Sequence, residues 1–184
     1  MGDFSQNGII SNLHDFGTKT TADIEKELVK FSKERKMELI LPSLYSELKG
    51  NALPNIVKQI SETKYLNHII VGLDKASKAE AVKAWKFFKK LNTPFTILWN
   101  DGPRLKKLHE ELKKKDLAPC EMGKGRNVWY CLGMCIARDE ARSVALHDCD
   151  IKTYDRRMLA KLFYPVVNPF FNFEFCKGYY PRIA

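Results

Sequence analysis

Asp148 and Asp150 are separated by one residue and follow a short apolar segment at residues 143–147. Two carboxylates in this arrangement after a strand can bind one divalent cation, directly or through water, and Mg²⁺ and Mn²⁺ prefer such oxygen ligands. An ion held there would neutralise the charge of a departing diphosphate. The alternative is that both residues only cap a turn or the following helix, and the spacing by itself leaves both interpretations open.

Three further positions carry residue types that suit a phosphate-containing nucleotide. Residues 123–125 read Gly-Lys-Gly, which is not a Walker phosphate-binding loop because the first glycine is missing at the required distance. Lys124 can still contact a phosphate together with backbone N–H groups. Glu47 and Asp74 follow predicted strands, where a carboxylate can accept hydrogen bonds from a nucleobase or a ribose. For each of these residues an ordinary loop or capping role is the alternative.

Strands and helices alternate along the chain, and this alternation decides where those residues lie. Apolar runs at 37–41, 68–73, 95–99 and 143–147 predict four strands, and helical spacing predicts helices at 21–35, 51–63, 78–91, 105–115 and 126–142. Such alternation is typical of α/β proteins with a mostly parallel sheet and helices on both faces. Ligands of these sheets bind at the carboxyl ends of the strands. We therefore expect the candidate residues to converge on one rim of the sheet.

Local signals complete the predicted elements. Pro42 is expected to end the first strand, and Thr21 or Asp23 to cap the first helix. Alternating aromatic residues at 170–180 predict a final strand whose phenylalanines pack in the core. The apolar face of the helix at 78–91 is predicted to comprise Val82, Trp85, Phe88 and Leu91.

The composition is that of one soluble globular domain of 184 residues, with 45% apolar and 29% charged residues. Residues 1–20 are predicted to be a flexible arm or edge element, and residues 21–184 the domain itself. No apolar run approaches the roughly 18 residues that span a membrane, and the N-terminus is not that of a secretory signal. Five cysteines without regular spacing are interpreted as reduced thiols of a cytoplasmic protein. The net charge of +9 favours anionic ligands such as phosphates.

The order of these motifs resembles GT-A type nucleotide-sugar glycosyltransferases. The closer match is to the glucosyl-3-phosphoglycerate synthase group, with the mannosylglycerate-type enzymes nearby. The resemblance covers roughly residues 36–184. It is carried by Pro42-x-Leu44-x-x-Glu47, Val71-x-Leu73-Asp74, Gly123-Lys124-Gly125-x-x-x-Trp129, Leu146-His147-Asp148-x-Asp150-Ile151, Asp155-Arg156-Arg157 and Phe175-x-Lys177-Gly178-Tyr179-Tyr180-x-Arg182.

The resemblance implies a Rossmann-like GT-A fold and a retaining transfer of glucose or mannose from a UDP- or GDP-sugar, with Mg²⁺ or Mn²⁺. The acceptor it implies is 3-phosphoglycerate or a similar small molecule, as in glucosylglycerate biosynthesis. By position, Pro42, Leu44 and Glu47 would hold the nucleoside, Asp74 the base or ribose, Gly123 and Lys124 the diphosphate, Asp148 the ribose or sugar, and Asp150 the metal. No catalytic residue is assigned. Tyr45 and Ser46 depart from the pattern, since the family often has Asn and an acidic residue there.

The family continues beyond the matched motifs, so the domain is expected to be incomplete on its C-terminal side, before the acceptor-binding part. This chain alone is then expected to bind donor without transferring the sugar. One alternative is a basic nucleotide- or RNA-binding module without catalysis, supported by the charge. Another is a haloacid-dehalogenase-like phosphatase, in which Asp148 would be the nucleophile, although Thr153 lies one position out of place. A homodimer is left open.

Overall fold

The computed structural model describes residues 19–171 and 173–178, so residues 1–18 of the predicted arm lie outside it. The elements are α1 (Thr21–Phe31), β1 (Met37–Leu44), a 3₁₀ helix (Tyr45–Lys49), α2 (Ala52–Ser61), β2 (Leu66–Asp74), α3 (Lys78–Phe88), β3 (Phe95–Trp99), α4 (Pro103–Lys113), α5 (Lys124–Arg138), β4 (Ser143–Leu146) and α6 (Arg156–Val167). No helix among these residues is long and apolar enough to cross a membrane.

The four strands form one parallel sheet in the order β3-β2-β1-β4. The predicted α/β fold with a parallel sheet is therefore confirmed. Leu44, the last residue of β1, pairs with Asp74, the last residue of β2, so the two strands end at the same level. This register brings the segments that follow β1 and β2 to one rim.

The two central strands are buried along nearly their whole length, as continuous apolar strands are when helices cover both faces of a sheet. On one face, alternate residues such as Leu39 and Val71 join the main core with α1, α2 and α6. On the opposite face, Ile40 and Ile70 pack against α5. Helices therefore cover both faces, as predicted.

Pro42 does not end β1, which continues through it to Leu44. The C=O of Ile40 accepts a hydrogen bond from the N–H of His147, so the backbone of Ile40 faces the side of β4. In a parallel strand, residues two positions apart face the same side, so the backbone of Pro42 faces that side as well. The pairing of β4 with β1 stops at Ile40. Because no neighbouring strand needs a donor from residue 42, a proline is tolerated there, as on an edge.

Three helix predictions are corrected in detail. Thr20, rather than Thr21 or Asp23, is the N-cap of α1, and Asp23 completes a capping box with it. Of the predicted apolar face of the third helix, Phe88 and Leu91 are buried, whereas Val82 and Trp85 are about half exposed and Ala84 is buried instead. Ala84 packs in a cluster with Tyr45 and Leu73, whereas the Trp85 ring lies under the ammonium of Lys89. The helix predicted at 126–142 begins earlier, at Lys124, and ends at Arg138.

The strand predicted at 170–180 is not formed by the described residues of this segment, 170–171 and 173–178. Phe171 contacts Tyr164 and the edge of the core, but Phe170 and Phe175 are largely exposed. Alternation predicts which side chains share a face, yet a strand forms only where its backbone pairs with another. Residues 179 and 180 lie outside the described part. All five cysteines are unpaired thiols.

Candidate functional site

A cavity of about 270 Å³ opens at the carboxyl rim of the sheet, between the ends of β1 and β2, the start of α5 and the segment after β4. All eight residues predicted from the sequence line it, together with four others. The lining residues are Pro42, Ser43, Leu44, Glu47, Asp74, Lys75, Gly123, Lys124, Asn127, Asp148, Cys149 and Asp150. A larger cavity of about 440 Å³ around Lys19, Phe31 and Tyr164 contains none of the predicted residues.

Glu47 is positioned by the 3₁₀ helix that follows β1. Its Oε2 accepts a hydrogen bond from the backbone N–H of Leu44 at 2.9 Å. Burial raises the pKa of Glu47, and the carboxylate of Asp150 raises it further, whereas the hydrogen bond from Leu44 opposes the shift. Glu47 and Asp150 therefore repel each other across the cavity, and a cation or an N–H donor placed between them would relieve that repulsion.

Lys124 and Asp148 form an ion pair at the mouth of the cavity. Lys124 is the first residue of α5, and Gly123 before it has φ 142°, a conformation that only glycine adopts readily. No side chain caps this helix, so its first N–H groups are free to bind an anion beside the lysine. Both partners of the pair are substantially exposed, and such pairs contribute at most about 1 kcal/mol. An incoming diphosphate can therefore compete with Asp148 for Lys124.

Asp150 is exposed and makes no hydrogen bond or ion pair with any residue that the structure describes. Among those residues there is also no group of three or more His, Cys, Asp or Glu side chains arranged to hold a metal ion. A cation at Asp150 would therefore complete its shell with phosphate oxygens and water. The carboxylates of Glu47, Asp148 and Asp150 around one cavity are hard oxygen donors, which fit Mg²⁺ or Mn²⁺.

The two residues that alternate with Asp148 and Asp150 are shielded from solvent, although Cys149 also lines the cavity. His147 is buried, and its Nδ1 lies 3.0 Å from the hydroxyl oxygen of Tyr154. Cys149 is also buried, and burial raises the pKa of its thiol.

Asn127 lines the cavity and was not predicted from the sequence. Its Nδ2 donates to the backbone oxygen of Gly72 at 2.9 Å, and its Oδ1 accepts from the thiol of Cys131. A Cβ at Gly72 would lie 1.7 Å from that Oδ1. Helix α5 is therefore packed directly onto β2, and this contact sets the position of Lys124. A glycine inside an apolar strand was the available signal for such a close approach.

Arg126 was also missed. It does not line the cavity, but its Nη2 lies 3.4 Å from Oδ1 of Asp74, and both side chains are nearly buried. The pair joins the start of α5 to the end of β2. Nothing in the spacing of the two residues along the chain indicates this contact, because it depends on how α5 packs on the sheet.

No family model matches the chain. It is 44% identical to a glucosyl-3-phosphoglycerate synthase of Persephonella marina over 184 residues, which are 100% of this chain and 46% of the relative. It is 37% identical to a protein of the same name from Methanococcoides burtonii over 176 residues, 95% of this chain and 43% of the relative. The resemblance to the glucosyl-3-phosphoglycerate synthase group is confirmed. The chain spans slightly less than half the length of these two synthases.

Solved structures of glucosyl-3-phosphoglycerate synthase from Mycobacterium tuberculosis share the fold. A complex of that enzyme with Mn²⁺, UDP and glucosyl-3-phosphoglycerate superposes with a TM-score of 0.53 at 16% identity, covering 85% of this chain and 47% of the enzyme. A complex with Mn²⁺ and UDP-glucose gives a TM-score of 0.52 at 17% identity, over 79% and 44%. At these identities the likeness concerns the fold, and it confirms the GT-A architecture.

Proposed function

We propose that this chain is the donor-binding part of a glucosyl-3-phosphoglycerate synthase, a glycosyltransferase of the retaining type. It would bind UDP-glucose with a divalent metal ion, and the whole protein would transfer the glucose to 3-phosphoglycerate. The observation that carries the proposal is that all eight motif residues line one cavity at the carboxyl rim of the sheet. The names of the two relatives and the Mn²⁺ and UDP in the M. tuberculosis complexes support the choice of reaction, metal and nucleotide.

The lining of the cavity offers apolar surface, hydrogen-bond acceptors and a cation. Pro42 and Leu44 offer apolar surface for a base, and Glu47 and Asp74 offer acceptors for its N–H groups or for ribose hydroxyls. Lys124 and the uncapped start of α5 suit a diphosphate. These residue types predict which part of the donor each group binds.

Metal binding is assigned to Asp150, with Mn²⁺ or Mg²⁺ as the ion. When bound, the ion supplies positive charge against the diphosphate leaving group. Asp148 would exchange its ion pair with Lys124 for the ribose or sugar of the donor when the diphosphate takes the lysine. We assign no described residue to the acceptor and none as a nucleophile. The five unpaired thiols support a cytoplasmic location.

The proposal is tested by following the melting temperature of this chain with UDP or GDP, each with and without Mn²⁺. A ligand at a hundredfold its dissociation constant stabilises the folded state by about 2.7 kcal/mol, which is roughly 5–10 °C for a chain of this size. We expect such a shift with UDP and Mn²⁺ together. No shift with either nucleotide, or the same shift when Mn²⁺ is replaced by a chelator, contradicts the proposal.

Asp150→Asn tests the metal assignment. We expect the variant to lose the Mn²⁺-dependent part of UDP binding and to keep its melting temperature without ligand, because an exposed carboxylate contributes little to the fold. Asp116→Asn is the matched control: Asp116 is exposed, lies outside the cavity and has φ 55°, which asparagine tolerates. If the Asp150 variant binds UDP with Mn²⁺ as the parent does, Asp150 is not the ligand.

Lys124→Ala tests the proposed contact between Lys124 and the diphosphate. We expect calorimetry to show weaker binding of UDP and inorganic diphosphate, with binding of uridine itself little changed. Lys107→Ala, on the exposed surface of α4, is the control for the loss of one positive charge. Equal weakening of uridine and UDP would separate Lys124 from the phosphates.

A further inference from the structure

Asp74, at the end of β2, is held through only one of its carboxylate oxygens. Oδ1 accepts from the backbone N–H of Lys75 at 3.3 Å and lies 3.4 Å from Nη2 of Arg126. No residue that the structure describes donates a hydrogen bond to Oδ2. Because Asp74 lines the cavity, Oδ2 is the oxygen left to meet a ligand.

The backbone turn after Asp74 places the N–H of Lys75 against Oδ1 of Asp74. Lys75 has φ 53°, a left-handed conformation that residues other than glycine seldom adopt. The turn is fixed from the next strand: the N–H of Ala76 donates to Asp101 at 3.0 Å, and Trp99 Nε1 donates to the Ala76 oxygen at 2.7 Å. Strained backbone that several neighbours fix in place is typical of functional sites.

Arg126 supplies the second contact to Oδ1 of Asp74, and its buried position leaves it few other partners. Its side chain is 11% exposed and that of Asp74 is 5% exposed. The Nε of Arg126 is buried without a hydrogen-bond partner, and Asp74 is its one ion-pair partner among the residues that the structure describes. A buried guanidinium whose charge is balanced by a single carboxylate fixes that carboxylate strongly, because breaking the pair leaves an uncompensated charge.

We infer that Arg126 is a positioning residue for nucleotide recognition: it fixes Asp74 so that Oδ2 faces the cavity and accepts a hydrogen bond from the nucleoside part of the donor. The donor group is a ribose hydroxyl or an N–H of the base. The inference rests on the proposed function and adds to it a residue that does not touch the ligand. It also separates two roles at the start of α5, with Lys124 serving the phosphates and Arg126 the nucleoside.

The test compares a ligand that has a nucleoside with one that lacks it. Arg126→Met keeps most of the side-chain volume and removes the charge. We expect the variant to bind UDP with Mn²⁺ about tenfold more weakly, as for the loss of one hydrogen bond to a charged group. Binding of inorganic diphosphate with Mn²⁺ should change less than twofold. Arg126→Lys, which keeps a cation in reach of Asp74, should recover most of the affinity for UDP.

A structural role for Arg126 gives a different result. If Arg126 only holds α5 in place, Lys124 moves with it, and UDP and inorganic diphosphate weaken together; that outcome overturns the inference. Asp74→Asn provides a second check, because in that background Arg126→Met should weaken UDP no further. The double variant removes both buried charges at once and so keeps the experiment possible if the single variants fold poorly.

Two more outcomes separate the inference from the proposed function. If the unaltered chain binds no UDP with Mn²⁺, the proposed function fails. If it binds UDP and Arg126→Met binds equally well, the inference alone fails. Comparing UDP with 2′-deoxy-UDP then narrows the contact: if it is to the 2′-hydroxyl, the effect of Arg126→Met disappears with the deoxy ligand. If it is to the 3′-hydroxyl or to the base, the effect persists.

Discussion

The two faces of the sheet are built differently. One face is a large apolar core in which α1, α2 and α6 cover side chains such as Leu39 and Ile69. On the other face α5 packs on β1 and β2 through a small apolar cluster of Ile40, Ile70, Cys131 and Cys135. Since burial of apolar surface is the dominant favourable term in folding, most of the stability lies on the first face.

On the α5 face, polar contacts make up a larger share of the interactions between helix and sheet. Glu38 is buried there and pairs with Arg138, and Asn127 bonds the backbone of Gly72. These contacts fix the position and direction of α5, whose first turn carries Lys124 and Arg126. The large core therefore holds the fold, whereas the smaller face sets the geometry of the cavity at the rim. Substitutions on the two faces should therefore separate stability from binding.

The largest effect is expected from Phe163→Ala, in the large core. Phe163 is fully buried and makes an edge-to-face contact with Tyr65 at 6.2 Å between ring centres. Truncating a buried phenylalanine costs about 3–5 kcal/mol. We expect urea unfolding to show that loss, while the protein that remains folded binds UDP as before. Ile136→Ala, on the exposed side of α5, is the control and should change stability by less than about 0.5 kcal/mol.

The second-largest effect is expected when the pH is lowered, because the buried His147 makes the free energy of unfolding depend on pH. Burial lowers the pKa of His147 to about 4, from the ordinary value of 6.5. Between these two values the unfolded chain binds a proton that the folded chain does not, so stability is complete above pH 6.5 and falls as the pH drops towards 4. The loss is about 3 kcal/mol over the whole interval and about 2 kcal/mol between pH 7 and pH 5.

His147→Gln should remove this part of the acid dependence, because glutamine does not titrate and can still bond Tyr154. The measurement is urea unfolding at pH 7 and pH 5 with a chelator present, so that metal at Asp150 does not contribute. An unchanged difference between the two pH values in the variant would show that His147 is not the group responsible.

Gly72→Ala tests the opposite face and should have a mixed effect. The added Cβ would lie 1.7 Å from Asn127 Oδ1 and 2.7 Å from Cys131 Sγ, so these side chains must give way. Because Asn127 is buried and bonds the backbone of Gly72, we expect α5 to shift with them. Overpacking of this kind costs about 1–3 kcal/mol. Unlike Phe163→Ala, the variant should also bind UDP more weakly, since Lys124 and Arg126 move with the helix.

Gly133→Ala is the matched control within α5, because nothing lies within 4 Å of its added Cβ. It should leave UDP binding unchanged and stabilise the helix by up to about 1 kcal/mol. If Gly72→Ala loses stability but binds UDP normally, α5 does not set the geometry of the site.

The convergence of Glu47, Asp74, Lys124 and Asp150 on one cavity could be predicted because it follows from topology. Residues after parallel strands meet at one rim, and alternation of strands and helices is visible in the sequence. The contacts behind the rim could not be predicted. Whether Arg126 reaches Asp74 depends on how closely α5 approaches β2, and that distance is a property of packing.

The errors have the same origin. Val82 and Trp85 have the right spacing for an apolar face, but α3 buries Ala84 and Phe88 and leaves Val82 and Trp85 about half exposed. Periodicity alone does not fix how the helix is rotated about its axis. At 170–178, alternation is present without a pairing strand among the described residues. Local patterns thus predicted the elements well, and their pairing and rotation less well.

The smallest effect is expected at β4, where the α5 side of the sheet is open. Ser143 and Ala145 are buried, whereas Val144 and Leu146 are 39% and 43% exposed. Within the described part of the chain, β4 pairs only with β1, so its outer edge has no strand beside it. Val144→Thr keeps the β-branched shape that strands favour and should change stability by less than about 0.5 kcal/mol.

Leu146→Gln should be equally mild, and the measurement is urea unfolding of both variants at two protein concentrations tenfold apart. Surface substitutions predict small losses that do not depend on concentration. A loss above about 2 kcal/mol at both concentrations would show that part of this chain covers β4. A loss confined to the higher concentration would show that a second copy does, since association makes apparent stability depend on concentration. Either result would show that the α5 face, which α5 covers over β1 and β2, is also covered over β4.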